Sequence, residues 1–133
     1  MPYRAGKKRK ADVEIMLVTS RETKRWVIPK GNFDFKGSPH AAAAREADEE
    51  GGVRGKVSQK PIGRFRYEKR IESGRSVVAK VTVFPLAVTE ELVAWKEQGE
   101  RKRRWFSRAE AAKAVDEADL SKMIGSFKPK RFE

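Results

Sequence analysis

Apolar side chains recur along the chain with two different periods, one suited to strands and one to helices. Val13–Thr19 reads V-E-I-M-L-V-T, dense in β-branched and apolar residues, and predicts a buried strand. The polar stretch 20–24 predicts a turn, and R-W-V-I at 25–28 predicts a short second strand stopped by Pro29. Residues 30–39 hold Gly31, Gly37 and Pro39 and predict a loop. A helix is expected to begin at Ser38, with Pro39 suited to its first turn, an alanine-rich body over 41–50, and Gly51-Gly52 ending it. Further strands are predicted at Val53–Val57, 62–67 and 76–88, the last two joined by a hairpin turn at 72–75. Another short strand is expected at 102–106. Ser107 and Glu110 have the spacing of a helix-capping box for a helix running to about Val115, and 119–127 suits a last short helix. Residues 1–10 are polar and basic and predict a mobile N-terminal segment, although Pro2-Tyr3-Arg4 has the makings of an edge strand. This order of elements predicts one α+β domain over residues 11–133, a mixed sheet with helices against it.

Composition narrows the setting. A chain of 133 residues is near the commonest single-domain size. It contains no cysteine, which excludes disulfides, thiolate metal sites and cysteine nucleophiles. No apolar run approaches the roughly 20 residues that cross a bilayer. The basic run 7–10 is followed by A-D-V-E, not by an apolar stretch, so the expectation is a cytoplasmic protein without a secretory signal or membrane contact. The net charge of +12 points to polyanionic partners, with nucleic acid, an anionic membrane and highly phosphorylated small molecules as the candidates among which charge alone does not choose.

The candidate chemistry sits on the alanine-rich helix. Glu46 stands three residues before Glu49 and four before Glu50, so the three carboxylates share a face. Like charges at that spacing repel, and a divalent cation reverses the sign: oxygen ligands of this kind suit Mg²⁺ or Mn²⁺. Arg45, four residues before Glu49, can hold that carboxylate in a fixed orientation. Taken alone, the carboxylates also admit a plainer reading, a solvated acidic helix end with one ion pair.

The flanking residues add a resemblance. R-E-A-D-E-E-G-G-V at 45–53 resembles the second half of the Nudix box, R-E-U-x-E-E-x-G-U with U aliphatic, at every fixed position, and Gly31 stands where that box begins. W-V-I-P-K-G at 26–31 is similar to the lead-in of Nudix enzymes that cleave dinucleoside polyphosphates and diphosphoinositol polyphosphates. The stretch ending R-K-R-R-W-F at 101–106 is similar to the diphosphoinositol branch. One position departs: the family has glutamate six residues after the first glycine, and this chain has Gly37. The resemblance implies a Nudix-type α/β/α sandwich and metal-dependent hydrolysis of a phosphoanhydride by a metal-activated water. It implies Glu46 and Glu50 as direct ligands, Glu49 as a ligand or proton acceptor, and the Lys30 backbone carbonyl as a further ligand. Many members recruit one more acid from outside the box; Glu97 is the candidate, with Glu90, Glu91 and Glu100 as rivals.

Arg21, Lys24, Arg25 and Lys30 flank the expected metal loop, and Arg64, Arg66, Lys69 and Arg70 lie on or beside a strand. Where several of these face one cleft, they favour a substrate with many phosphates, with Arg21, Lys24, Arg25, Lys30, Arg66 and Lys69 as the candidate set. Diadenosine polyphosphates and diphosphoinositol polyphosphates both fit that description. Two alternatives stay open: removal of pyrophosphate from RNA 5′ ends, and a Nudix-fold nucleic-acid-binding module that has lost activity, with Gly37 as its mark. Oligomeric state has no signature in the sequence. Trp26, Trp105 and Phe106 are expected to pack and His40 to lie at the surface, while Tyr67 suits either the substrate cleft or packing in the core or at its rim.

Overall fold

The computed structural model describes residues 1–6, 12–30 and 38–129, so the basic run 7–10, Gly31 and Gly37 lie outside the described residues. In chain order the elements are β1 (Pro2–Ala5), β2 (Val13–Thr19), β3 (Trp26–Val27), α1 (Pro39–Gly51), β4 (Val53–Val57), β5 (Gly63–Arg70), β6 (Ser76–Val83), β7 (Leu86–Glu91), β8 (Arg103–Ser107), α2 (Arg108–Ala114) and α3 (Ala118–Ser126). None of the described helices is long and apolar enough to cross a membrane.

β2 is the axis of the main sheet. Glu14 and Ile15 pair with β1 on one edge and β8 on the other, while Val18 pairs with both β3 and β8. A strand has two edges, so β1 and β3 divide one of them. Beyond β1 lie β7, which is parallel to it, and then β4, which is antiparallel to β7 with a bulge at Arg54/Gly55. Strands β5 and β6 form a separate antiparallel hairpin.

Burial on both sides explains why β2 reads as a continuous apolar run and not as a clean alternation. Val13, Ile15 and Leu17 pack with Phe65, Phe106 and with Ala111, Leu120 and Ile124 of α2 and α3. Met16, on the opposite face, packs with Ala47 of α1, Val53 and Leu86. The layers are therefore α1, the mixed sheet, then α2 and α3, the sandwich that the resemblance implied.

Two expectations need correction. Residues 1–5 are not a mobile tail, nor is Pro2-Tyr3-Arg4 on an edge: β1 is interior, hydrogen-bonded between β2 and β7, and Met1 is buried. A basic residue is tolerated mid-sheet because the Arg4 guanidinium meets Glu14 at 2.7 Å and Glu91 at 3.2 Å and stacks over Trp105 at 4.1 Å. The strand expected at 76–88 is two strands in two sheets. Pro85 has no N–H for a ladder, and the chain leaves the hairpin at Val83 and joins the main sheet at Leu86.

Helix α1 ends where its sequence punctuates it. Ser38 is the N-cap, its hydroxyl accepting from the Ala41 N–H, with Pro39 directly after. Gly52 closes the helix in the left-handed region at φ 63°, its N–H reaching back to the Ala47 and Asp48 carbonyls.

Candidate active site

Helix α1 turns Glu46 and Glu50 toward the end of β3, one turn apart. Glu50 is 3% exposed, one of few charged side chains buried in the described structure. Its Oε1 accepts the Lys30 backbone N–H at 3.3 Å and lies 3.8 Å from Arg101 Nη1. Burial first, and then a hydrogen bond shared with the Glu46 carboxyl, holds the Glu50 carboxyl well above the usual carboxylate range. A carboxyl as buried as that of Glu50, with the half-buried Glu46 one turn away, is an expensive arrangement for a fold. A divalent cation between them would remove the expense, and the carboxylate oxygens of Glu46 and Glu50 suit a hard ion. These residues fit such an ion. Among the described residues, however, no three His, Asp or Glu side chains converge on one point.

Glu49 stands apart from the pair. Its side chain lines a surface groove together with Arg45, Asp48 and Arg54, and its Oε1 is 3.5 Å from Lys96 Nζ. The Glu49 backbone carbonyl accepts from the Glu97 N–H at 3.0 Å, which lays the loop 92–102 across the end of the helix. Within that loop the Glu97 carboxylate takes the Arg101 Nε–H at 2.8 Å. Of the three rivals of Glu97, Glu91 accepts from Trp105 Nε1 and pairs with Arg4, Glu100 pairs with Arg21, and Glu90 is exposed opposite Arg54 in the β4–β7 ladder.

A cleft of about 480 Å³ opens beside the pair, lined by Arg21, Arg25, Lys30, Tyr67, Lys69 and Arg101 among others. Lys30 Nζ sits 4.6 Å over the Tyr67 ring, and burial pushes its pKa down while the nearby Glu50 opposes that shift. Arg25 is held from behind by Glu117 at 2.6 Å and Asp116 at 3.5 Å. Four of the six sequence-based substrate candidates thus share this cleft. The other two do not. Lys24, at φ 59°, lines a separate pocket with Trp26, and Arg66 is exposed opposite Lys80 on the outer face of the hairpin. The period of a strand decides the latter, since Phe65 and Tyr67 pack on the core cluster and Arg66 must point away.

Two members of the basic run 101–104, of which strand alternation lets only half face a substrate, take roles that the run alone does not assign. Arg101 touches both acidic elements, Glu50 and Glu97. Arg103 leaves β8 to donate from Nη1 to the carbonyls of Gly51 and Gly52 and from Nη2 to that of Leu92, each at 3.0 Å, with its guanidinium 3.9 Å over the Trp95 ring. It thereby satisfies carbonyls that the end of α1 leaves without helical partners.

Comparison with known proteins agrees with this geometry. The NUDIX domain family matches residues 5–126. Nudix hydrolase 4 of Arabidopsis thaliana is 34% identical over 132 residues, covering 96% of this chain and 62% of that protein. Diphosphoinositol polyphosphate phosphohydrolase 3-alpha of Mus musculus is 36% identical over 105 residues, covering 77% of this chain and 60% of that protein. The chain spans a little under two thirds of the length of these relatives. Among solved structures, a C. elegans Ap4A hydrolase superposes with a TM-score of 0.61 at 19% identity, covering 93% of this chain and 88% of that one.

Proposed function

The chain belongs to the Nudix family, and on that footing we propose that it hydrolyses a phosphoanhydride bond in a phosphate-rich small molecule with the help of Mg²⁺ or Mn²⁺. The observation that carries this reading is the buried Glu50, with Glu46 one turn away, which accepts from the Lys30 N–H and faces Arg101, two residues that also line the cationic cleft. Glu46, Glu50 and the Lys30 carbonyl would hold the ion. When bound, a divalent cation offsets charge on the phosphate oxygens and acidifies a water for in-line attack on phosphorus. Arg21, Lys30, Lys69 and Arg101 orient the phosphates by charge-assisted hydrogen bonds. Glu49 and Glu97, joined through a backbone hydrogen bond, are the acids available to receive the proton of the water.

Between the two substrate types, the cleft favours the diphosphoinositol type. Among the described lining residues its aromatic side chain is Tyr67, whose face is covered by Lys30. Trp26 lies outside this cleft and packs edge-on to Phe106 at 5.0 Å. Cations and hydroxyls suit a polyphosphate, whereas an adenine requires an open aromatic face or an apolar slot. A second reading, action on RNA 5′ ends, draws support from Arg66 and Lys80, which stand opposite each other on the exposed face of the hairpin.

The deciding experiment follows phosphate release from diphosphoinositol polyphosphate, diadenosine tetraphosphate and triphosphorylated RNA with Mg²⁺ or Mn²⁺. The expected result is metal-dependent turnover that is fastest on the first and lost in Glu50→Gln. Absence of metal-dependent turnover on all three refutes the hydrolase reading and favours the inactive binding module.

A further inference from the structure

Arg101 lies where the acidic and cationic halves of the site meet. Its side chain is only 11% exposed. Nε donates to Glu97 at 2.8 Å, Nη1 donates to the Thr19 carbonyl at 3.2 Å, and Nη1 stands 3.8 Å from Glu50. The same side chain lines the cleft that holds Arg21, Lys30 and Lys69. A guanidinium stays charged at any pH at which proteins fold, and a charge this deeply set is little screened by salt. The side chains of Glu50 and Glu97 therefore already face a permanent cation in the free protein.

We propose that Arg101 couples the filling of the metal site to the filling of the phosphate cleft, an inference that rests on the proposed metal-dependent reading. In the free protein its charge opposes entry of a divalent cation beside Glu50 and keeps that affinity low. A polyphosphate in the cleft meets the same guanidinium from the other side, draws on its charge and lifts the opposition. Metal and substrate then load together, and by reciprocity each strengthens the other. Arg101 acts here as a positioning residue, through Glu50 and Glu97.

The test measures Mn²⁺ binding to the full chain without substrate, from the electron paramagnetic resonance signal of free Mn²⁺, for wild type, Arg101→Lys, Arg101→Gln and Glu50→Gln. Circular dichroism establishes that each variant is folded, and Arg101→Met, which keeps the buried aliphatic stem, replaces Arg101→Gln if that variant unfolds. The expected result is that the neutral variant binds Mn²⁺ more tightly than wild type by at least about fivefold, the lower end of typical coupling between sites. Arg101→Lys, which keeps the charge, stays near wild type. Inorganic tripolyphosphate then strengthens Mn²⁺ retention by wild type more than by the neutral variant. A merely structural Arg101 gives the opposite sign, with looser Mn²⁺ binding in the neutral variant, and that result, or an unchanged affinity, overturns the coupling. Mn²⁺ binding that Glu50→Gln leaves unaltered overturns instead the metal-site reading on which the coupling depends.

Discussion

Replacing Gly52 with alanine tests how helix α1 is fastened to the loop that carries Glu97. Two separate effects act at this position. The backbone sits at φ 63°, where a Cβ is strained, and a Cβ built there falls on the Trp95 ring, 2.6 Å from Cε3 and 2.7 Å from Arg103 Nη1. Trp95 has little freedom to yield, because its face is stacked on Arg103, which is itself bonded to three carbonyls. Gly74, in the turn of the β5–β6 hairpin, supplies the control: it has φ 82° but meets nothing within 4 Å. Gly74→Ala should therefore show the backbone effect alone, about 1 kcal/mol. Gly52→Ala adds overpacking of about 1–3 kcal/mol, for a total loss of about 2–4 kcal/mol. Urea denaturation followed by tryptophan fluorescence measures both, and melting should fall by roughly 3–5 °C per kcal/mol for a chain of this size. Equal losses in the two variants, within about half a kcal/mol, refute the contact with Trp95 and Arg103 as the cause.

Other expectations follow from the same geometry. Glu50→Gln should lower metal-dependent turnover by more than about a hundredfold, beyond what loss of a merely orienting neighbour gives. Its melting temperature in metal-free buffer should equal or exceed that of wild type, since a neutral amide replaces a buried carboxyl; a marked loss of stability contradicts that account. Arg103→Ala should destabilise by about 2–4 kcal/mol, because three carbonyls at the end of α1 and the start of the following loop lose a charged donor. Chemical denaturation checks it, and Arg103→Lys should recover less than half, since an ammonium lacks the planar fork. Arg21→Ala and Lys69→Ala should each raise KM severalfold with kcat nearly unchanged, and should flatten the dependence of KM on salt. A fall in kcat with KM constant in steady-state assays removes them from substrate binding.

Local physics made much of this protein legible from its residues. Propensity and punctuation act over a few positions, so α1 begins at Ser38 and closes at Gly52 as its sequence indicates, and the capping box of Ser107 and Glu110 is formed. The i, i+4 spacing of Glu46 and Glu50 likewise brings them together, as any helix would. Glu49, counted with them on one face, lines a different groove, because consecutive residues lie about 100° apart round a helix and burying Glu50 turns Glu49 aside.

Non-local pairing decided the rest. Nothing in Pro2–Ala5 announces an interior strand; β7, more than eighty residues away, supplies its parallel partner. Pro85 was visible in the sequence, but only the competition between two sheets for the strands around it shows that it divides them. Residues in the cleft were chosen by charge, and the pleat then sorted Lys69 inward and Arg66 outward. Arg101 and Arg103 look like two of four equivalent basic residues until the fold lays one beside Glu50 and Glu97 and the other on the end of α1. The sequence by itself determined which segments become helix or strand and which residues have the chemistry to hold a cation. Only the tertiary structure decided which of those residues meet, because their meeting depends on contacts between elements that no local pattern encodes.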